Sequence, residues 1–256
     1  MTTVFKMVNK SLLIIFSLFF LAAHTDKNNL IYNGFTASYE VSKNSLLLGV
    51  SDRQLIRHSE TQYTYKSLTY ATGIASWFVK DKITELSHYQ LLNEKIQPTH
   101  YEYKNSNGKA NDNFNIVFDN IKNTATRSKD NIKHTVTNNT QDALSFQIAV
   151  MLAVQRKHKG VKFTLVDNES IHEYSLNQIK SGKLETENGN LQTIVLEAKS
   201  NNSKDRYVFW CAEKYNFLPV KIQRIEPNGD ELLIQLKRIN NQKIIFTEPY
   251  NEDEDN

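Results

Sequence analysis

The feature that most constrains this chain is a period of two that begins at Phe35. Phe35, Ala37, Tyr39 and Val41 alternate with Thr36, Ser38, Glu40 and Ser42. Successive strand side chains point to opposite faces, so this alternation specifies a strand with one face buried and one wet. The pattern continues strand after strand to Tyr103. Residues 46–50 extend the first run, and Gly49 is a candidate bulge. Segments 55–59 and 62–72 read as a hairpin around Ser59-Glu60-Thr61. Segments 74–79 and 83–92 continue the meander around Lys80-Asp81-Lys82, and 97–104 adds another strand with Pro98 at its start.

After the polar loop 105–112, Phe114, Ile116 and Phe118 alternate again, and 124–127 and 132–137 are weaker strand candidates. One strong helix follows. Thr140 or Asp142 can cap it, and Leu144, Ile148, Met151, Leu152 and Gln155 recur at helical spacing. Arg156, Lys157, His158 and Lys159 suit its C-terminal dipole, and Gly160 suits a left-handed ending. The helix is expected to run about 16 residues, with an apolar stripe that covers one face of a sheet. Strands then resume over 161–166, 170–180, 183–186, 191–199, 206–210, 218–225 and 231–239. Asn188-Gly189 and Pro227-Asn228-Gly229 supply turns. The fold class this implies is mainly β: an open antiparallel β-barrel or strongly curved sheet with one main α-helix packed against it.

Residues 1–10 carry Lys6 and Lys10 and no acid, and 11–23 is an apolar run ending in Ala22-Ala23. This is the pattern of a secretory signal peptide over 1–23, too short for a membrane span of about 20 apolar residues. Phe20 or Leu21 at the minus-three position fits cleavage poorly, so an uncleaved anchor is the alternative. Membrane association is expected only in that case. Residues 24–33 read as a flexible segment, 34–240 as one β-rich domain, and 241–256 as an acidic tail. Without 1–23 the chain keeps 29 basic and 28 acidic residues, a net charge of +1. So even a balance gives no reason to expect nucleic acid or an anionic membrane as partner. Cys211 is the one cysteine, which excludes an internal disulfide and reads as a buried small hydrophobe.

Several patterns in this order resemble the DUF3108 family of bacterial exported proteins of uncharacterised function. They are Tyr39 with Gly49, Tyr63 with Gly73, Glu85-Leu86-Ser87, and the strand Pro98-x-x-Tyr101-x-Tyr103. Asp142-x-x-Ser145 and Trp210 followed by Leu218-Pro219-Val220 complete the set. The resemblance spans about 35–239. It implies a periplasmic or cell-envelope location and an open antiparallel barrel beside a helix, and it supplies no catalytic residues.

The candidate site residues are Tyr63, Tyr65, Glu85, Ser87, Tyr101, Tyr103 and Trp210. Tyrosines alternating on neighbouring strands put amphipathic rings along one face, which suits either a packed core or the wall of an apolar cavity. Glu85 and Ser87 share a strand face, where they would orient a ligand or tie neighbouring strands by hydrogen bonds. A buried Glu85 would bind its proton more tightly unless a cation pairs with it. Asp142 reads as a helix cap. Ser145 lacks the Gly-x-Ser-x-Gly surroundings of a nucleophile. No two of the seven histidines have the i, i+4 spacing of a metal site. The expectation is therefore an envelope protein without catalytic residues, metal or cofactor. It would bind a lipid or other apolar or amphipathic envelope molecule between helix and sheet. The alternative is a protein-interaction or structural envelope protein with a filled interior and an envelope protein as partner.

Overall fold

The computed structural model describes residues 29–108, 113–128, 131–137, 139–158, 160–167, 170–187, 189–200, 204 and 206–240. The leader, residues 24–28 and the tail 241–256 lie outside them. The alternating block forms five long strands: β1 (Phe35–Lys43), β2 (Leu46–Arg57), β3 (Gln62–Ala71), β4 (Lys82–Leu92) and β5 (Lys95–Asn105). Phe35, Ala37, Tyr39 and Val41 are all buried, as the period of two requires. The meander continues through β6 (Phe114–Asp119), β7 (Thr124–Arg127) and β8 (Lys133–Thr135) to the short β9 (Thr140–Gln141). The second half comprises β10 (Val161–Val166), β11 (Ile171–Thr186), β12 (Gly189–Ser200), β13 (Arg206–Ala212), β14 (Leu218–Ile225) and β15 (Glu231–Asn240).

All fifteen strands form one sheet in the order β8-β7-β6-β5-β4-β3-β2-β1-β15-β14-β13-β12-β11-β10-β9. The halves join where β1 pairs antiparallel with β15, the first long strand with the last. The far edge curls back: Gln141 of β9 donates its Nε2–H to the Ile96 carbonyl of β5 at 3.0 Å. β9, one edge strand, thus touches β5, three strands in from the other edge β8, without a shared ladder, so the sheet is an open barrel, as its alternation predicts. Gly49 does mark a bulge: the register slips between Val41 and Ser42, which face Gly49 and Leu47.

The helix α1 (Leu30–Asn33) lies within the segment expected to be flexible. Asn29 caps it, and Leu30 and Ile31 are buried in the core, which is what orders it. Segment 74–79, expected as a strand, instead holds the one-turn helix α2 (Ala75–Phe78). Gly73 takes a left-handed φ of 59° at the end of β3 and turns the chain off the sheet, so the segment has no partner strand.

The main helix, α3 (Ser145–Gln155), is shorter than its pattern suggested. Nine of its residues are buried, on every side. A helix apolar all round belongs inside a core, and here the curled sheet encloses it rather than offering it one face. It ends earlier than the glycine implied. Lys157, at φ 55°, takes the left-handed position. His158 N–H then bonds Ala153 O (3.0 Å) and Lys157 N–H bonds Val154 O (2.9 Å). This double bond pattern satisfies the last carbonyls of the helix.

Candidate functional site

Two regions of the interior carry chemistry. The first is a buried polar layer at the start of α3. Asp142 Oδ1 accepts the N–H groups of Leu144 (2.9 Å) and Ser145 (2.8 Å), so the capping role read from the sequence is realised. Its other oxygen, Oδ2, accepts the Ser87 hydroxyl at 2.7 Å. Two strand residues away, Glu85 Oε1 accepts the Tyr101 hydroxyl at 2.6 Å. Burial raises the proton affinity of both carboxyls. Asp142 is pushed up to about 6 against the four hydrogen bonds that oppose it, and Glu85 is raised as well, opposed by the Tyr101 bond and by the charge of Arg53.

Arg53 enters this layer from an inward position of β2. Its guanidinium lies 4.5 Å above the Tyr39 ring, Nε donates to Ser51 Oγ at 3.3 Å, and Nη1 donates to Gln147 Oε1 on α3 at 2.5 Å. Among the described residues no carboxylate lies within ion-pair distance of it. Sequence reading passed over Arg53 and Gln147. The signal was present in β2, where the period of two puts Arg53 between buried Ser51 and buried Leu55.

The other tyrosines are packed. Tyr63 stacks on Tyr89 with centroids 5.4 Å apart, and Tyr65 leans on Phe35 at 5.8 Å. Tyr101 and Tyr103 both pack on Phe114, at 5.9 and 5.2 Å. The fold thus brings Glu85, Ser87 and Tyr101 together with Asp142. It separates them from Trp210, which is half-buried on the face opposite Phe209 with the Lys221 ammonium 4.6 Å above its ring. Cys211 is buried, and burial pushes its thiol far above the range where a thiolate forms. No group of three metal-ligating side chains occurs among the described residues.

The second region is a groove beside the C-terminal half of α3. β10 pairs only with Ile171–Leu176, the first part of the long β11. Beyond Leu176 no strand among the described residues pairs with β11 on that side, and a cavity of about 710 Å³ opens there. Ala153 and Val154 of α3, Leu176 of β11, and Ile194 and Leu196 of β12 supply its apolar lining. Lys157, His158 and Lys180 stand at the polar part of the lining. A register slip between Gln178 and Lys180 kinks β11 at this point. A smaller cavity of about 370 Å³ flanks the other side of the helix and shares Ala153 and His158. No local motif announces the groove, because it arises from the unequal lengths of β10 and β11.

The comparisons fit this architecture. A crystal structure of a beta-barrel-like protein of domain of unknown function DUF1849 from Brucella abortus is similar over 82% of this chain and 98% of that one. The TM-score is 0.55 and the identity 10%, a likeness of fold alone. No curated protein matches the chain. The family model of DUF3108, a protein of unknown function, matches residues 38–237, from β1 to β15. An open barrel whose first and last long strands pair at the centre of the sheet is thus the matched unit, and the chain belongs to the DUF3108 family.

Proposed function

We propose that this protein is a non-enzymatic binding module of the cell envelope, and that it holds the apolar portion of an anionic amphipathic molecule in the groove beside α3. The observation that carries the reading is the end of strand pairing beyond Leu176 among the described residues, which exposes barrel-core side chains to a cavity of about 710 Å³. Ligand sites combine an apolar lining with a few placed polar groups, and Lys157 and Lys180 are placed to meet an anionic head. The basic, apolar leader supports export to the envelope, most simply the periplasm. Glu85 and Asp142 support a role without turnover. Each is engaged by its own hydroxyl donor, and neither lines the groove. In this reading Tyr63, Tyr65, Tyr101 and Tyr103 hold the barrel rigid around the bound molecule.

The test is native mass spectrometry of protein purified from an envelope fraction, followed by titration with a fluorescent fatty acid. A bound small-molecule mass is expected, with affinity reduced at least tenfold in Ile194→Trp and in Lys157→Glu/Lys180→Glu. A chain that carries nothing and fails to bind the fatty acid would sink the proposal.

A further inference from the structure

We infer that an apolar tip at one end of the barrel seats this protein on a phospholipid bilayer. The tip is the β3–β4 connection with the adjoining start of β2. Ile74, Trp77 and Phe78 are 74%, 75% and 81% exposed, and Leu46 is 67% exposed. None of the four residues of α2 is buried, and α2 sits beside β2 and β3. Large apolar side chains gathered this densely on a surface mark a contact site, because leaving them in water is costly.

The tip is held in shape. Ser76 N–H and its hydroxyl both bond Gly73 O, at 3.2 and 2.7 Å, and Val79 N–H bonds Ala75 O at 2.9 Å. Thr72 N–H bonds Leu48 O at 3.2 Å, which ties the base of the connection to β2. The apolar groups are thus presented by an ordered turn.

Shape chooses the partner. The side chains stand almost wholly clear of the protein, and there is open space around Gly73. A protein partner would need a deep matching pocket, whereas an interfacial lipid layer accepts Trp and Phe side chains without one. Lys80 and Lys82 flank the tip with Asp81 between them, a local excess of one positive charge. On the neighbouring β1–β2 and β14–β15 turns, Lys43 pairs with Asp230 (2.9 Å) and Glu226 (3.6 Å) and offsets one of their two charges, so this end of the barrel is close to neutral. The groove is remote from this end. β4 leaves the tip at Lys82 and reaches its far end at Leu92, about 33 Å away, beside the Glu94–Arg156 pair at the end of α3. Docking through the tip therefore leaves the groove open, and the inference stands or falls independently of groove binding.

The experiment uses the full chain with Trp210→Phe, so that Trp77 is the only tryptophan. It is mixed with vesicles of phosphatidylglycerol and phosphatidylcholine, or of phosphatidylcholine alone, with and without brominated acyl chains. The expected result is a blue shift of Trp77 emission and quenching by the brominated chains. Partitioning is expected to both kinds of vesicle, and the shift should be lost in Ile74→Ser/Phe78→Ser. Three results would overturn the inference. One is no binding, and another is binding through the leader that leaves Trp77 unquenched. The third is sedimentation showing a dimer that Ile74→Ser/Phe78→Ser dissolves, which would assign the tip to a second copy.

Discussion

The Ser87 hydroxyl donates to Asp142 Oδ2 at 2.7 Å, tying the middle of β4 to the first turn of α3. Both residues are fully buried, so this bond fixes how deep the helix sits in the barrel. It also sets a pH dependence. Folded Asp142 keeps its proton up to about pH 6, whereas an unfolded Asp releases it near its ordinary value of 3.8. Between those values the native state binds more protons, so this group's contribution to stability falls as pH rises. The full loss is on the order of 3 kcal/mol. Asp142→Asn keeps an acceptor for the helix N–H groups and turns its amide toward Ser87, which can accept. Urea unfolding from pH 4 to 7 should show the stability of Asp142→Asn rising relative to the natural chain as pH increases. Parallel curves would refute this account.

Ser87→Ala removes the same bond from the other side. A buried carboxylate oxygen then loses its donor, at a cost of about 1–3 kcal/mol. Because the Ser87 bond lowers Asp142's proton affinity, its loss should also move the titration to higher pH. Carboxyl carbon NMR of Asp142 reads that shift directly, and an unmoved titration would contradict it.

The β1–β2 turn offers a stabilising change. Asn44 and Ser45 both have positive φ, 49° and 68°, the geometry of a type I′ turn. A side chain at the second position is strained there, so Ser45→Gly should gain about 0.5–1 kcal/mol. Thermal unfolding should move upward, and an unchanged or lower midpoint would count against the reading.

Gly49 is the opposite case. A Cβ built there lies 2.1 Å from the Tyr70 carbonyl oxygen, and that oxygen belongs to backbone that cannot swing aside. Gly49→Ala should therefore part β2 from β3 locally and cost about 3 kcal/mol. Hydrogen exchange should show lost protection at Thr72, whose N–H bonds Leu48 next to the bulge. Retained protection would show that the strands yield more easily than the geometry says.

What the sequence made legible was local. Phe35 to Val41 alternates, and the buried face follows; Asp142 precedes an apolar helix, and the cap follows. The relationships that create the interior are not local. β1 meets β15 across nearly the whole domain, and Gln141 reaches Ile96 across the barrel opening. Those contacts decide that α3 is enclosed, which its own pattern of Leu144, Ile148 and Met151 does not state. Segment 74–79 misled because Ile, Trp, Phe and Val are strand formers in isolation, while Gly73 removes the partner strand. The groove was illegible for the same reason: Leu176 is apolar in either case, and only the end of β10 leaves its neighbours uncovered.

Arg53 is the residue through which the polar layer responds to charge. Its guanidinium lowers the proton affinity of Glu85, opposing the larger effect of burial. Arg53→Met keeps the apolar stem but removes the cation and the donors to Ser51 and Gln147. Glu85 should then bind its proton more tightly still. The sign follows from linkage: a carboxyl raised further in the folded state loses more stability as pH rises through its titration and recovers it as pH falls. Relief of a desolvated cation offsets part of the cost, leaving a net loss of about 2 kcal/mol at neutral pH. That deficit should shrink as pH falls through the titration of Glu85, because the protonated carboxyl no longer needs the positive charge. Urea unfolding at pH 8 and pH 5, with a carbon NMR titration of Glu85, measures both effects. A deficit that stays constant with pH would show that Arg53 acts through its hydrogen bonds and its packing on Tyr39, not through its charge on Glu85.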